Sequence, residues 1–177
     1  RRKTSRLKPF PNDAYRVNQG RLMAGPYPGR PDETAAAESL RELTLSRVTQ
    51  FIDLTFPKGE GTNDLEPYEH LLDQLPNESL PGYSRLSIVD EDIPSAEFMN
   101  EILNEINSSL SRDEVVYVHC WGGVGRTGTE VACHHIASGM SADEALKTIR
   151  GKRTSLLRGH RLSPETYAQE EFVRAWE

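Results

Sequence analysis

Residues 119–128, HCWGGVGRTG, put a thiol, a run of small residues and a guanidinium within seven positions. If a strand turns into a helix through such a run, successive backbone N–H groups converge on one point and make an anion-binding concavity. Gly122, Gly123 and Gly125 remove Cβ atoms that would obstruct a phosphate, and Trp121 and Val124 complete the loop. Arg126 supplies a planar fork that can hold two phosphate oxygens at once. Cys120 sits at the base of this cradle, where the amides, the helix N-terminus and Arg126 all favour the thiolate, the nucleophilic form of cysteine. The chemistry implied is attack of sulfur on phosphorus, expulsion of an alcohol or phenol, and hydrolysis of the resulting phosphocysteine. Thr127 is placed to donate a hydrogen bond to the departing sulfur. His119 precedes the turn on a buried strand, so it is expected to fix the loop through its ring N–H rather than to act as a base.

A leaving oxygen also needs a proton, and a carboxylic acid from elsewhere must supply it. The acidic segment SIVDEDIPS offers Asp90 as first candidate and Asp92 as second. Metal catalysis has little to build on. His134 and His135 are adjacent, so on a helix they diverge by about 100°. His70 and His160 stand in no ligand pattern. Neither a metal nor another cofactor is expected.

The elements that would position these groups follow from pattern. YRVNQGRLMAGPYPG reads as a short hairpin-like pair of strands, PDETAAAESLREL as a helix and RVTQFIDLT as a buried strand. A short helix is predicted over 66–75, and GYSRLSIVD reads as another strand. Phe98, Ile102, Ile106 and Leu110 recur every four residues, so one stripe of a helix capped by Ser95 faces the core. EVVYVHC suits a central strand, and TGTEVACHHIAS a helix that stops at Gly139. Ser141 and Glu144 stand at capping-box spacing, and Ser163 with Pro164 predicts the start of the last helix. Strands alternating with helices predict an α/β fold, with a central, mostly parallel sheet covered by helices on both faces. Ligands of such sheets bind at the carboxyl ends of the strands, where residues 119–128 fall.

The segment from His119 to Arg126 resembles the His-Cys-x5-Arg signature of the cysteine-dependent protein tyrosine and dual-specificity phosphatases. GVGRTGT is similar to the tyrosine-specific branch. RLMAGPYPG, FIDLT, the D-x-x-I-P-S loop, the signature and SPETYAQEEFVRAW fall in the order seen in compact bacterial-type tyrosine-phosphatase-like proteins. The resemblance implies that fold, Cys120 as nucleophile, residues 121–126 as phosphate loop and Asp90 as general acid. It also implies that Gln169 corresponds to the second of two glutamines that position the hydrolytic water. Glu165 stands where the first would be, a departure from the pattern.

The chain has 177 residues and a net charge of −6, although its first eight residues are strongly basic. Residues 1–10 are expected to form a basic tail and 11–177 a single phosphatase catalytic domain. The acidic body argues against nucleic acid as partner, because that binding rests on neutralising phosphates with Lys and Arg. No apolar run approaches a membrane span, so no stable membrane insertion is expected. Two cysteines make no disulfide framework, which points to a reducing, cytoplasmic setting. On a helix beginning at Arg126, Cys133 would lie roughly 10 Å along and is read as a buried apolar residue. The substrate expected is a phosphotyrosine-containing protein or another phosphomonoester. A phosphoinositide or inositol phosphate phosphatase is the alternative: the loop itself carries no lysine, but Lys152, Arg153, Arg158 and Arg161 could rim the site. An inactive phosphopeptide-binding module is the reading from another class; it conflicts with the presence of nucleophile, arginine and acid together. The sequence leaves the oligomeric state open.

Overall fold

The computed structural model describes residues 13–176 except 19, 62–63 and 77–79. The basic tail expected over 1–10 lies outside the described residues. Five strands form one sheet in the order β1-β2-β5-β3-β4. They are β1 (Tyr15–Arg16), β2 (Leu22–Gly25), β3 (Gln50–Asp53), β4 (Gly82–Arg85) and β5 (Val116–His119). β2, β5, β3 and β4 run parallel, while β1 folds back antiparallel on β2, as the hairpin reading required.

The period-2 alternation of the strands divides the apolar residues between two layers. Leu22, Ala24, Ile52, Val116 and Val118 face one cluster, and Met23, Phe51 and Tyr117 face the other. Helices α3 (Ala96–Ser111), α4 (Arg126–Ala137), α5 (Ala142–Arg153) and α6 (Tyr167–Arg174) supply the first layer. Helices α1 (Glu33–Leu45) and α2 (Glu69–Leu72) close the second. Both faces of the sheet are therefore covered, leaving β2, β5 and β3 buried and the edge strand β4 half-buried.

The local signals explain most boundaries. Asp32 caps α1 by accepting from Ala35 N, and Ser95 caps α3 by accepting from Phe98 N. Ser141 and Glu144 form a reciprocal capping box at the start of α5. Three expectations need correction. The short helix predicted over 66–75 is only the single turn of α2, whose N-cap Tyr68 provides no side-chain cap. The strand predicted through Asp90 stops at Arg85; beyond it, Leu86 N and Ile88 N still bond to the carbonyls of Asp53 and Leu54. That extension carries Asp90 to the carboxyl edge of the sheet. The last helix does not start at Ser163–Pro164. Thr166 caps it in a capping box with Gln169, because the Ser163 hydroxyl is already bonded to the Val124 carbonyl.

Candidate active site

Strand β5 ends at His119, Cys120 follows, and α4 begins at Arg126 with Gly125 as its N-cap. The loop between is held from outside by its carbonyls. The Cys120 carbonyl accepts from His119 Nδ1 at 3.1 Å, and that of Trp121 from Tyr27 N at 2.9 Å. Arg153 Nη1 donates to the Gly123 carbonyl at 2.9 Å, and Ser163 Oγ to that of Val124 at 2.6 Å. Gly125 O accepts from both Thr129 N and Thr129 Oγ1. In a trans peptide the N–H points away from its carbonyl. Drawing these carbonyls outward therefore turns the N–H groups of Trp121, Gly122, Val124, Gly125 and Arg126 toward the interior of the loop.

The space they surround is a cavity of about 60 Å³, also lined by Cys120, Asp90, Glu91, Arg161 and Glu165. Arg126 is 3 % exposed. Its Nη1 donates to the Ile88 carbonyl at 3.0 Å, and its Nη2 lies 3.0 Å from Asp90 Oδ1. That second contact is a close ion pair without hydrogen-bond alignment, so Nη2 is a buried donor still lacking an acceptor.

The loop glycines also serve the protein's own packing. Gly123 has φ +69°, and a Cβ there would fall 2.4 Å from the carbonyl carbon of Gly25 on β2. A Cβ on Gly125 would meet the Gln169 amide, and one on Gly122 would come within 3.2 Å of Arg158 Nη1. The missing side chains make room for the protein's own neighbours, which lets the loop sit tightly on β2 and α6.

His119 is fully buried. Burial pushes its pKa down, against the pull of the neighbouring Asp53 carboxylate. The ring donates from Nδ1 to Cys120 O and accepts at Nε2 from the Tyr68 hydroxyl, 2.6 Å away. Pairing between the strands puts Asp53 level with His119 on one side and with Arg85 on the other. The Asp53 carboxylate accepts from Thr55, Tyr83 and Arg85. Burial alone would push this carboxyl up, but the nearby imidazole and the hydrogen bonds of Thr55 and Tyr83 outweigh it and hold it below the usual range. Tyr68, Tyr83, Asp53, Arg153 and Ser163 were not singled out as positioning residues from sequence. The acid at the end of β3 in FIDLT was the one local signal for them.

Thr127 is fully buried, and its hydroxyl has no hydrogen-bond partner among the described residues. Asp90 lines the cavity and Asp92 does not: Asp92 Oδ1 accepts from Ile93 N. Gln169 is buried with its amide already occupied. Its Oε1 accepts from Glu165 N and Thr166 N, and its Nε2 donates to the Asp92 carbonyl at 3.2 Å. It ties the acidic loop to α6 against Gly125. Glu165 lines the cavity and is paired with Arg161. The proposed basic rim thus separates: Arg161 is neutralised by Glu165, Arg153 is buried as a loop anchor, and Lys152 is exposed on α5. Only Arg158 has its guanidinium beside the loop and unpaired among the described residues, 5.1 Å above the Trp121 ring.

His134 and His135 are both buried, with ring centroids 6.3 Å apart. No cluster of three or more His, Cys, Asp or Glu arranged for a metal occurs among the described residues. No helix there is long and apolar enough to cross a membrane.

The strand-loop-helix cradle around Cys120 and Arg126 defines the phosphatase class in which the sequence signature belongs. Residues 17–173 match the family model described as Swiss Army Knife protein, DSP-PTPase phosphatase domain, and the chain belongs to that family. Over 94 residues it is 32 % identical to the Arabidopsis thaliana protein named phosphatidylinositol 3,4,5-trisphosphate 3-phosphatase and protein-tyrosine-phosphatase PTEN1, covering 52 % of this chain and 22 % of that one. It is 30 % identical over 102 residues to effector protein hopD2 of Pseudomonas syringae pv. tomato, covering 54 % of this chain and 22 % of the relative. The chain thus spans about a fifth of the length of these curated relatives. Among solved structures, Tk-PTP in its active form superposes with TM-score 0.65 at 25 % identity, covering 97 % of this chain and 98 % of that one. PTPMT1 in complex with PI(5)P gives 0.69 at 20 % identity, covering 92 % and 93 %. The expected phosphatase superfamily and the mostly parallel α/β fold are both shown.

Proposed function

We propose that residues 11–177 form one catalytic domain that hydrolyses phosphomonoesters, foremost phosphotyrosine in proteins, through a phosphocysteine at Cys120. The observation that carries this reading is the loop whose carbonyls are drawn outward around Cys120, beside an Arg126 Nη2 that lacks an acceptor.

An entering phosphoryl group takes the inward amides and the Arg126 fork, which frees Asp90 from its ion pair. Once out of the ion pair Asp90 takes up a proton from solvent; the Cys120 thiolate then attacks phosphorus, the P–O bond to the leaving group breaks, and Asp90 gives that proton to the leaving oxygen. In the second step water attacks phosphorus, the P–S bond breaks and Asp90 takes back the proton. The unpartnered Thr127 hydroxyl supports the departing sulfur. Gln169 acts by holding the acidic loop through the Asp92 carbonyl. Cys120 and Cys133 are free thiols, which suits a reducing, cytoplasmic setting.

A phosphotyrosine substrate is favoured by the neutral side chains of residues 121–125 and by the exposed Trp121 next to the cavity. A phosphoinositide or inositol phosphate substrate is the second reading; Arg158 beside the loop supports it, as does the likeness to PTEN1 and PTPMT1. A turnover panel of phosphotyrosine, phosphoserine and phosphothreonine peptides with inositol phosphates separates them. Fastest turnover of phosphotyrosine, lost in Cys120→Ser, is expected. Exclusive turnover of inositol phosphates would replace the first reading by the second.

A further inference from the structure

We infer that Glu130 and Tyr15 are positioning residues for the phosphate loop, acting through Arg153, and that the loop keeps its anion-binding shape only while Glu130 holds its proton. The inference rests on the phosphatase reading above.

Glu130 stands one turn into α4 beside Thr129, Val131, Ala132 and Cys133, all of them buried. An acid is among the costliest residues to bury without a partner. Neither of its oxygens has a hydrogen-bond partner among the described residues. Two more buried groups share that lack, the Tyr15 hydroxyl on β1 and Arg153 Nε at the end of α5. The three belong to one cluster. The Tyr15 hydroxyl feels the charges of both Arg153 and Glu130, and Arg153 approaches it without the alignment of a hydrogen bond.

The other groups around Glu130 give its carboxyl no counter-charge. Cys133 on α4 is pushed up by burial and stays a thiol. His134 and His135, one turn further on, are lowered chiefly by burial. From the loop, Cys120 acts on Tyr15. Helices α3 and α6 bring Met99, Ile102 and Val173 to the apolar cluster they share with α4. Burial therefore pushes the Glu130 carboxyl up to about 8, so it keeps its proton through neutral pH and loses it above.

Arg153 connects this cluster with the site. Its Nη1 donates to the Gly123 carbonyl at 2.9 Å and its Nη2 to the Arg158 carbonyl at 3.0 Å. Drawing the Gly123 carbonyl outward is what turns the Val124 N–H into the cradle. A neutral Glu130 leaves Arg153 in place. An ionised Glu130 is a buried carboxylate that must recruit donors, and the Tyr15 hydroxyl and Arg153 Nε are the unpartnered donors of the cluster. As Glu130 gives its proton to solvent, Tyr15 turns its hydroxyl to the carboxylate, Arg153 follows, and the Gly123 carbonyl loses its donor. The Gly123–Val124 peptide is then free to rotate, and one inward N–H is lost.

The test measures sulfate binding by isothermal titration calorimetry from pH 6 to 9 at fixed ionic strength, because sulfate stays a dianion over that range. The Cys120→Ser protein is used so that no thiol at the site titrates. Its dissociation constant for sulfate is expected to rise roughly tenfold across this range, as for the loss of one N–H bond to an anion, with a midpoint near about 8. Adding Glu130→Gln should hold it flat at the low-pH value. Adding Tyr15→Phe instead should move the midpoint up, since the carboxylate loses a donor. A pH dependence unchanged by Glu130→Gln, an affinity already independent of pH in Cys120→Ser, or no sulfate binding at any pH would overturn the inference. If the Glu130→Gln protein does not fold, the Tyr15→Phe protein decides in its place, and an unmoved midpoint overturns the inference. Turnover of p-nitrophenyl phosphate by the wild-type chain is measured alongside; its absence would remove the phosphatase reading, which the sulfate titration by itself does not test.

Discussion

Replacing Glu130 by glutamine should stabilise the protein by an amount that grows with pH. Glu130 lies one turn into α4, fully buried, and neither carboxylate oxygen has a hydrogen-bond partner among the described residues. Tyr15 on β1 and Cys133 on α4 are the titratable groups that feel its charge, and both have their pKa values raised chiefly by burial. The Arg153 Nη atoms are committed to the Gly123 and Arg158 carbonyls and do not neutralise it. Burial raises its pKa from 4.5 to about 8. The folded pKa is the higher one, so the stabilising contribution is fully present below about pH 4.5 and is lost as pH climbs through about 8. At ~1.36 kcal/mol per pKa unit, the fold has lost about 3 kcal/mol by pH 7 and less than about 1 kcal/mol by pH 5. Glu130→Gln keeps the shape without the ionisation. Its unfolding temperature should match wild type near pH 5 and exceed it by roughly 6–12 °C at pH 7, at ~2–4 °C per kcal/mol for a chain of this size. Circular-dichroism melts at pH 5, 6, 7 and 8 provide the assay. A difference that stays constant across this range would refute the reasoning.

Other perturbations test the site. Asp90→Ala should lower kcat for an aryl phosphate roughly 10²-fold, whereas Asp92→Ala should change it little, because Asp90 lines the cavity and Asp92 does not; steady-state rates of both variants decide between them. Ser163→Ala should leave the Val124 carbonyl without its donor, costing ~1–3 kcal/mol in urea unfolding and raising KM as the loop loosens. Gly123→Ala should cost at least ~2 kcal/mol and most of the activity, since the left-handed backbone and the Gly25 carbonyl leave no space for a methyl group.

What could be read from the chain and what could not differ by sequence separation. Cys120, Arg126 and the glycines between them lie within one turn, so their spacing alone implies a cradle. The dense apolar run Val115–Val118 likewise marks a buried central strand. The groups that shape the cradle come from far along the chain: Tyr27, Arg153 and Ser163 each hold one loop carbonyl. Their side chains say nothing locally about that task. Ser163 followed by Pro164 has the form of a helix start, and the long-range bond to Val124 overrides it. The four cations between Lys152 and Arg161 look equivalent in sequence. Burial, a partner carboxylate and a neighbouring indole give them different roles.

The covalent step is tested most directly by quenching the enzyme in acid during turnover of a phosphotyrosine peptide and mapping the phosphoryl group by mass spectrometry. The account predicts one phosphoryl group on the peptide that contains Cys120, absent from Cys120→Ser. Rapid turnover with no phosphorylated cysteine trapped, or a Cys120→Ser protein that still turns over substrate, would contradict it.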